Sequence, residues 1–451
     1  MEFEKSLKKI FGTDGIRGEF GSPFINRPFF RRLARTIAKF FSIREGEENP
    51  LVFFLARDTR ESGLELEKGL IEGLTESGAE IIRLGILPTS AIGLFLNRSA
   101  NKGIGLAITA SHNKASENGL KILTSEGKLS LQEESKIERL LQSNLSIPKR
   151  TSSIIENYDA AQQWCKFYLK IFRKEKLNLS NLKIGLDCSN GAQSKIAPRV
   201  LASYQAKLSL LGREPNGKNI NKNCGSNSLD SLIRLVKENS LDIGLAFDGD
   251  GDRLIAVDSK GDIFDGDQLL FILIGRMKRL NKFRGGVVGT IVSNLGLEKA
   301  CKSLLIPFIR VPVGDRNILS ELQRRSWFIG GENSGHLINR YYHKFGDGLL
   351  SALQVLDEIN ATGENLSDLL KNFNRIPQES YNYPINQTSP NLSKSTIEQI
   401  VEKGRIIAPE ARIILRPSGT EPVLRITVEE DNHDLRSLVL QTIIDEISNR
   451  K

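Results

Sequence analysis

The sequence predicts an α/β chain built as three similar units followed by a smaller α+β unit. Three observations predict it. One order of apolar runs, turns and helix-period stretches occurs three times along the chain. Each copy sets a dense, polar, glycine-rich loop after its third apolar run. The tail breaks that order and carries a polar loop of its own.

The first unit opens on the apolar run Leu51–Ala56, a turn at Arg57, Asp58 and Thr59, a helix-period stretch and a strand at Ile81–Leu84. The second repeats this with Ile184–Cys188, a turn at Ser189–Gly191, a helix and Leu208–Leu211; the third with Val287–Val292, a turn at Ser293–Asn294, a helix and Phe308–Val311. Strand, crossover helix, strand implies parallel strands. A turn then follows (GILPTS at 85–90, GREPNG at 212–217, VGDRN at 313–317), a second helix, and a third run: Gly103–Thr109, Ile243–Phe247 and Trp327–Ile329. Ligands of open α/β sheets bind beyond the carboxyl ends of the strands, so three such ends could wall one cleft. The tail reads as a helix and linker (366–380), a strand near Tyr381–Pro384, a helix at Lys394–Lys403, a strand Arg412–Leu415, a strand Val423–Glu429 and a last helix. The expected domains are 1–150, 151–255, 256–370 and 371–451.

Composition fits. At about 150 residues per domain, 451 residues suggest roughly three, which the repeat sharpens to three alike and one different. With 39% hydrophobic and 26% charged residues, disorder, collagen and coiled coil are excluded. The apolar run Leu269–Gly275 is far short of the ~20 residues a membrane span needs, and residues 1–30 read as no signal peptide. The four cysteines, at no metal-ligand spacing, read as buried small hydrophobes of a reduced, cytoplasmic protein. The net charge of +9 is scattered. Its densest patch, Arg276–Arg284, reads as the solvated last turn of a buried helix. No nucleic-acid partner is expected; a basic surplus also suits an acidic small substrate such as a phosphate ester.

The loops carry the chemistry. In DGDGDR (248–253), Asp248, Asp250 and Asp252 alternate with glycines, and if the strand direction persists, period 2 puts them on one side. Three such carboxylates repel unless a cation neutralises them, and an all-oxygen set suits Mg²⁺. An EF-hand is excluded, because its sixth and twelfth positions would be Arg253 and Ser259. In TASHN (109–113), adjacent extended side chains point apart, so Ser111 and His112 make a poor dyad; Ser111 could instead carry a phosphoryl group. GENSGH (331–336) offers Glu332, Asn333, Ser334 and His336 to sugar hydroxyls. RPSGTEPVLR (416–425) offers Arg416, Ser418, Gly419, Thr420 and Arg425 as a phosphate cradle. FGTDGIRG (11–18) sets Arg17 among glycines, free to reach a phosphate. There is no P-loop, no complete G-x-G-x-x-G, no HExxH and no CxxC, which weighs against nucleotide-driven phosphoryl transfer and zinc hydrolysis.

TASHN with NGLK (118–121), DGDGDR, GENSGH and RPSGTEP, in this order over essentially the whole chain, resembles the α-D-phosphohexomutases. Within that family FGTDGIRG, VVGTIVSNLGLE (287–298), VGDR (313–316) and GDG (346–348) look most like the bacterial phosphoglucosamine mutases. The resemblance implies three mixed-sheet α/β domains and a smaller α+β lid around a central cleft. It implies interconversion of glucosamine 6-phosphate and glucosamine 1-phosphate, feeding UDP-N-acetylglucosamine and cell-wall synthesis. It makes Ser111 the phosphoserine, with one Mg²⁺ held by Asp248, Asp250, Asp252 and that phosphate. Arg17, Lys121 and Arg253 would surround the transferring group, Lys121 or His112 would handle the proton, and His336 would lie at the reacting end of the sugar. Glu332 and Ser334 would bind sugar hydroxyls, and the 416–425 cradle the far phosphate. Glucosamine 1,6-bisphosphate would be intermediate and activator, the phosphosugar the partner, and a homodimer is left open. Three departures stand out. Lys114 replaces the family's usual Pro after TASHN. The stretch Arg310, Val311, Pro312 lacks the usual substrate-contacting Lys before VGDR, with Arg316 or Arg310 the expected substitute. His343–Phe345 is unlike the usual Thr-rich run and leaves sugar choice open. A phosphoglucomutase or phosphomannomutase is the alternative, and a non-catalytic phosphosugar-binding protein a further one.

Overall fold

The computed structural model describes residues 9–12, 14–45, 51–98, 103–143, 152–174, 176–385, 393–417 and 423–450. The first sheet holds β1 (Ile16–Glu19), β2 (Val52–Arg57), β3 (Glu80–Ile86), β4 (Ile104–Ile108), β5 (Glu117–Thr124), β6 (Gly127–Lys128) and β7 (Ser153–Glu156), in the order β1-β5-β4-β2-β3-β7 with β6 beside β5. The second holds β8 (Lys183–Asp187), β9 (Lys207–Leu211), β10 (Ile243–Phe247), β11 (Leu254–Asp258) and β12 (Ile263–Phe264), ordered β12-β11-β10-β8-β9. The third holds β13 (Val287–Thr290), β14 (Phe308–Val311), β15 (Ile329–Gly331) and β16 (Leu337–Asn339), ordered β14-β13-β15-β16.

One motif recurs in all three. The strand triplets β4-β2-β3, β10-β8-β9 and β15-β13-β14 are parallel. An antiparallel strand, β5, β11 or β16, then lies against the third strand of the repeat. The sheets are therefore mixed, and each polar loop is the short return between a parallel strand and its antiparallel neighbour. Two boundaries move from their sequence positions. β7 lies beyond residue 150 yet pairs with β3, and β12 lies beyond 255 yet pairs with β11.

Burial explains the central strands. β4 (IGLAI) and β10 (IGLAF) are buried at every position, as strands covered on both faces must be. In β2, Phe53 and Leu55 pack with Phe30 and Leu66 of the helices Arg27–Glu45 and Gly63–Glu76. Val52, Phe54 and Ala56 face the other way, into a core that also holds Trp164, Leu186, Leu245 and Leu353. That core runs through all three units and fuses them.

The last unit has a separate core around Tyr383, Ile426, Val428 and Ile443. Its sheet, β17 (Gln378–Pro384), β18 (Arg412–Pro417) and β19 (Val423–Glu429), is antiparallel, with β19 central. Among the described residues, a polar knot ties it to the third unit. Asn294 donates to the Ile376 carbonyl (2.9 Å), Glu429 accepts from the Leu295 N–H (3.0 Å), and Arg412 donates to the Ser293 carbonyl (3.0 Å) while pairing with Glu429 (2.9 Å).

The patch Arg276–Arg284 is not simply solvated. Arg276 is fully buried, paired with Asp357 (2.7 Å) and set beside the stacked Phe172 and Tyr342 rings. Its helix, Gly266–Arg279, packs on the buried helix Gly348–Thr362, and a core position there takes an arginine because Asp357 faces it. The four cysteines are buried and unpaired, and burial pushes Cys224 and Cys301 up to about 12.

Candidate active site

The return from β4 to β5 carries Ser111 at φ +53°. This left-handed turn removes the assumption of an extended chain, and His112 Nδ1 lies 3.4 Å from Ser111 Oγ instead of on the opposite face. Burial first, then Arg253 and Arg17, push His112 down to about 4, so its ring is neutral near pH 7. The Ser111 N–H donates to Thr109 Oγ1 (2.8 Å), and the Thr109 hydroxyl donates to Asp58 (2.6 Å). Asp58 pairs with Arg60 Nε (2.9 Å), and Arg60 Nη2 returns to the Ser111 carbonyl (2.9 Å). The other Arg60 donors reach the carbonyls of Asn113, Lys114 and Glu117. All five guanidinium N–H groups are used, and Arg60 is fully buried. From the second unit, Asn221 donates to the Ser111 and Asn113 carbonyls (2.8 and 2.9 Å). Lys114 is exposed and lends the loop only its carbonyl.

Ser111 Oγ donates to Asp248 Oδ2 at 2.5 Å, which brings the first two loops together. They meet because residue 249 is glycine; a Cβ there would stand 2.5 Å from the Ser111 carbonyl oxygen. Residues 248–252 form a turn, closed by the Gly251 N–H on the Asp248 carbonyl with Gly251 at φ +73°. The three aspartates thus converge by the turn, not by strand alternation. All are buried, with oxygens within 4.8 Å of one another. Asp250 Oδ1 and Asp252 Oδ1 are buried without a hydrogen-bond partner. Burial, then Asp252 and Asp250, push Asp248 up to about 8. A hard divalent cation would satisfy both orphaned oxygens and relieve that repulsion, so these residues fit Mg²⁺. Thr89 of the GILPTS turn donates to Asp250 (2.5 Å), and Lys121 Nζ pairs with Asp250 (2.7 Å) and Asp252 (2.8 Å).

The third loop meets the second through a backbone bridge between Arg253 and His336. His336 Nδ1 lies 3.5 Å from Asp252 and Nε2 3.3 Å from Asp315. Burial alone would lower its pKa, but the two carboxylates outweigh it and raise it to about 9. Glu332 accepts from the Gly314 N–H (2.8 Å). A cavity of about 670 Å³ is lined by Arg17, His112, Asp252, Arg253, Glu332 and His336 among others, joining residues from all three units. Asn333 and Ser334 are half-buried on the same loop but do not line it. A larger hollow runs beside Arg27, Arg31, Arg32 and Arg35, but these are engaged by Glu65, Glu72, Glu76 and the Leu141 carbonyl.

Other expected residues lie elsewhere. Arg416 and Arg425 face each other across β18 and β19, half-buried in the last unit and outside that cavity. Ser418, Gly419 and Thr420 lie outside the described residues. Arg316 is forked onto Glu134 (3.0 Å for one of two bonds), and Arg310 is held by Glu298 and the Thr290 and Ser293 carbonyls, so neither substitutes in the cleft. His343 bonds the Ser90 carbonyl (2.9 Å) and packs with Phe345 over Gly93, so this segment seals the first unit to the third and does not line the cleft.

Arg60, Thr89, Asn221, Asp14, Asp315 and Lys128 escaped the sequence reading. Asp14 and Asp315 lie inside quoted motifs, and Arg60 directly follows a quoted turn at a strand's carboxyl end. Asn221 and Lys128 carry no local signal.

Comparison with known proteins agrees with this architecture. Four models of the phosphoglucomutase/phosphomannomutase family match: alpha/beta/alpha domain I at residues 8–147, domain II at 162–261, domain III at 265–376 and the C-terminal domain at 358–445. A phosphoglucosamine mutase of Nitrosococcus oceani is 40% identical over 442 residues, covering 96% of each chain. One of Teredinibacter turnerae is 38% identical, covering 95% of this chain and 96% of that one. A phosphoglucomutase/phosphomannomutase family protein of Burkholderia thailandensis superposes with a TM-score of 0.81 at 21% identity, over 98% of this chain and 97% of that one. The N-acetylphosphoglucosamine mutase of Aspergillus fumigatus, solved with GlcNAc-6P and magnesium, gives 0.68 at 14%, over 98% and 95%. Matched in all four of its parts and end to end by curated relatives, this chain belongs to the phosphoglucomutase/phosphomannomutase family.

Proposed function

We propose that this chain interconverts glucosamine 6-phosphate and glucosamine 1-phosphate through a phosphorylated Ser111. The observation that carries the reading is the Ser111 hydroxyl, fixed by its loop against the buried aspartate cluster beside a cleft lined with Arg17 and Arg253. The sugar assignment is supported by the named relatives, about 40% identical over nearly the whole chain.

The phosphoryl group passes from Ser111 Oγ to the free hydroxyl of the sugar phosphate. The Oγ–P bond breaks as the new O–P bond forms, and the hydroxyl proton goes to a base in the cleft. Of the two expected proton handlers, Lys121 is held charged by Asp14, Asp250 and Asp252 against the effect of burial, and His112, beside Ser111 Oγ, is the one that is neutral near pH 7. The resulting 1,6-bisphosphate turns over, and Ser111 takes the phosphoryl group back from the other end. Arg17, Lys121 and Arg253 neutralise the transferring charge, Glu332 grips sugar hydroxyls, and Arg416 and Arg425 hold the far phosphate. Mg²⁺ on Asp248, Asp250 and Asp252 would add positive charge at the phosphoryl oxygens. The buried, unpaired thiols support a cytoplasmic location, and among the described residues no helix is long and apolar enough to cross a membrane.

Mass spectrometry should find phosphate on the Ser111 peptide, and Ser111→Ala should abolish interconversion in a coupled assay primed with 1,6-bisphosphate. Normal turnover by that variant would reject the mechanism. Faster turnover of glucose or mannose phosphates, assayed side by side, would reject only the sugar assignment.

A further inference from the structure

The β5–β6 hairpin reaches out of the first unit and docks on the third. The Ser125 carbonyl accepts from Lys344 (2.8 Å) and the Glu126 carbonyl from Gln323 (2.7 Å). Gly127 abuts Leu319, where a Cβ would stand 2.7 Å from the Leu319 side chain. Lys128 follows with its side chain almost wholly buried. Its ammonium pairs with Asp14 of the first unit and with Asp315 of the third at 2.6 Å.

Both carboxylates belong to the cleft wall, whereas Lys128 does not line it. Asp14 also pairs with Arg17 and with Lys121 (3.3 Å). Asp315 faces His336 Nε2 (3.3 Å), whose Nδ1 faces Asp252 (3.5 Å). One ammonium therefore stands behind cleft side chains of both the first and the third unit. Without it, the two carboxylates lose the cation between them, and each is drawn toward the cleft cations it already touches.

Resting on the function proposed above, we propose that Lys128 is a positioning residue for phosphoryl transfer: through Asp14 and Asp315 it sets where Arg17, Lys121 and His336 stand, and it fixes the spacing of the first and third units across the cleft. It touches no reacting atom. Its effect therefore falls on the chemical step more than on substrate affinity, because a misplaced charge stabilises the transition state poorly even when the substrate still binds.

The test uses the full chain and compares wild type, Lys128→Met, Lys128→Arg and the double variant Lys128→Met/Asp315→Asn, reading kcat and KM for glucosamine 6-phosphate alongside thermal melting. Lys128→Met is expected to lower kcat by roughly 10- to 100-fold, the range common for groups that orient active-site ligands, with KM changed by less than about threefold. Lys128→Arg, which keeps the charge, recovers most of the loss. The double variant is no slower than Lys128→Met, because both changes dismantle one strut. A Lys128→Met kcat within about twofold of wild type, a loss carried by KM alone, or an equal loss in Lys128→Arg would each overturn the inference. Should Lys128→Met fail to fold, Lys128→Gln, which keeps a polar donor beside both carboxylates, carries the same comparison with wild type. A wild type that turns over no glucosamine phosphate overturns the proposed function and this inference together, whereas wild-type turnover matched by Lys128→Met overturns this inference alone.

Discussion

Arg60 shows how much one buried side chain can organise. Its planar fork satisfies four loop carbonyls and one carboxylate, and those carbonyls turn inward because a cation awaits them. Arg60→Lys keeps the charge but not the fork, leaving at least two buried carbonyls unmatched. It is expected to destabilise the chain by about 2–4 kcal/mol and to cut turnover further than folding alone explains, checked by chemical denaturation beside the coupled assay. The TASHN loop drew Ser111 out of the sequence, because it follows a strand and sits in a motif shared with the resembled family. The sequence did not make Arg60 legible, because an arginine in a turn looks the same whether solvated or enclosed. Arg276 misled for that reason. His343 supplies a pH test. Burial pushes it down to about 4 from about 6.5 in the unfolded chain, so folding excludes a proton across that window. Its contribution is present above pH 6.5 and lost as pH falls through 4. Asp347 and Asp267, pushed up mainly by burial to about 6 and about 7, slope the opposite way and cancel when two variants are compared. The stability of wild type relative to His343→Gln should therefore fall by about 2–3 kcal/mol between pH 7 and 4.5, measured by urea unfolding at several pH values; a flat difference would refute this account.

At the scale of elements, the three returns from parallel to antiparallel strand place the chemistry. Their positions were legible because polarity changes abruptly at the end of β4, β10 and β15. Their shapes were not. Ser111 and Gly251 both take positive φ, which undoes any inference from strand periodicity. The two-residue strands β6 and β12 are too short for a period, and every residue of β7 is exposed, so hydrophobic patterning could not find them. The β5–β6 hairpin shows the cost of that gap, since it adds contacts between the first and third units beside those of the shared core and of His343. Gly127→Ala tests it. At φ +138° and with a Cβ 2.7 Å from the Leu319 side chain, the substitution strains the backbone and pushes the units apart. A loss of about 1–3 kcal/mol is expected in denaturant melts, together with reduced turnover.

At the scale of the whole molecule, one core binds three units rigidly while the fourth keeps its own core and hangs from a polar knot. The repeat in the sequence announced three alike and one different; the shared core did not show there, because nothing local says which face of β2 meets a neighbour. Arg412→Met removes the pair to Glu429, which is wholly buried, and should cost roughly 3–5 kcal/mol at this joint. Limited proteolysis should then open the connection before β17 while residues before about 360 stay protected, and KM should rise as the grip on the far phosphate loosens. Equal protection of both parts in wild type and variant would refute the joint. The sealed cysteines have a practical consequence. Thiol-reactive dyes need an accessible thiolate, and the native chain presents none. A single Ile406→Cys change, at a site three-quarters exposed on the helix Lys394–Ile407, would take one label with every natural cysteine left in place, and its fluorescence would test whether the fourth unit moves during turnover.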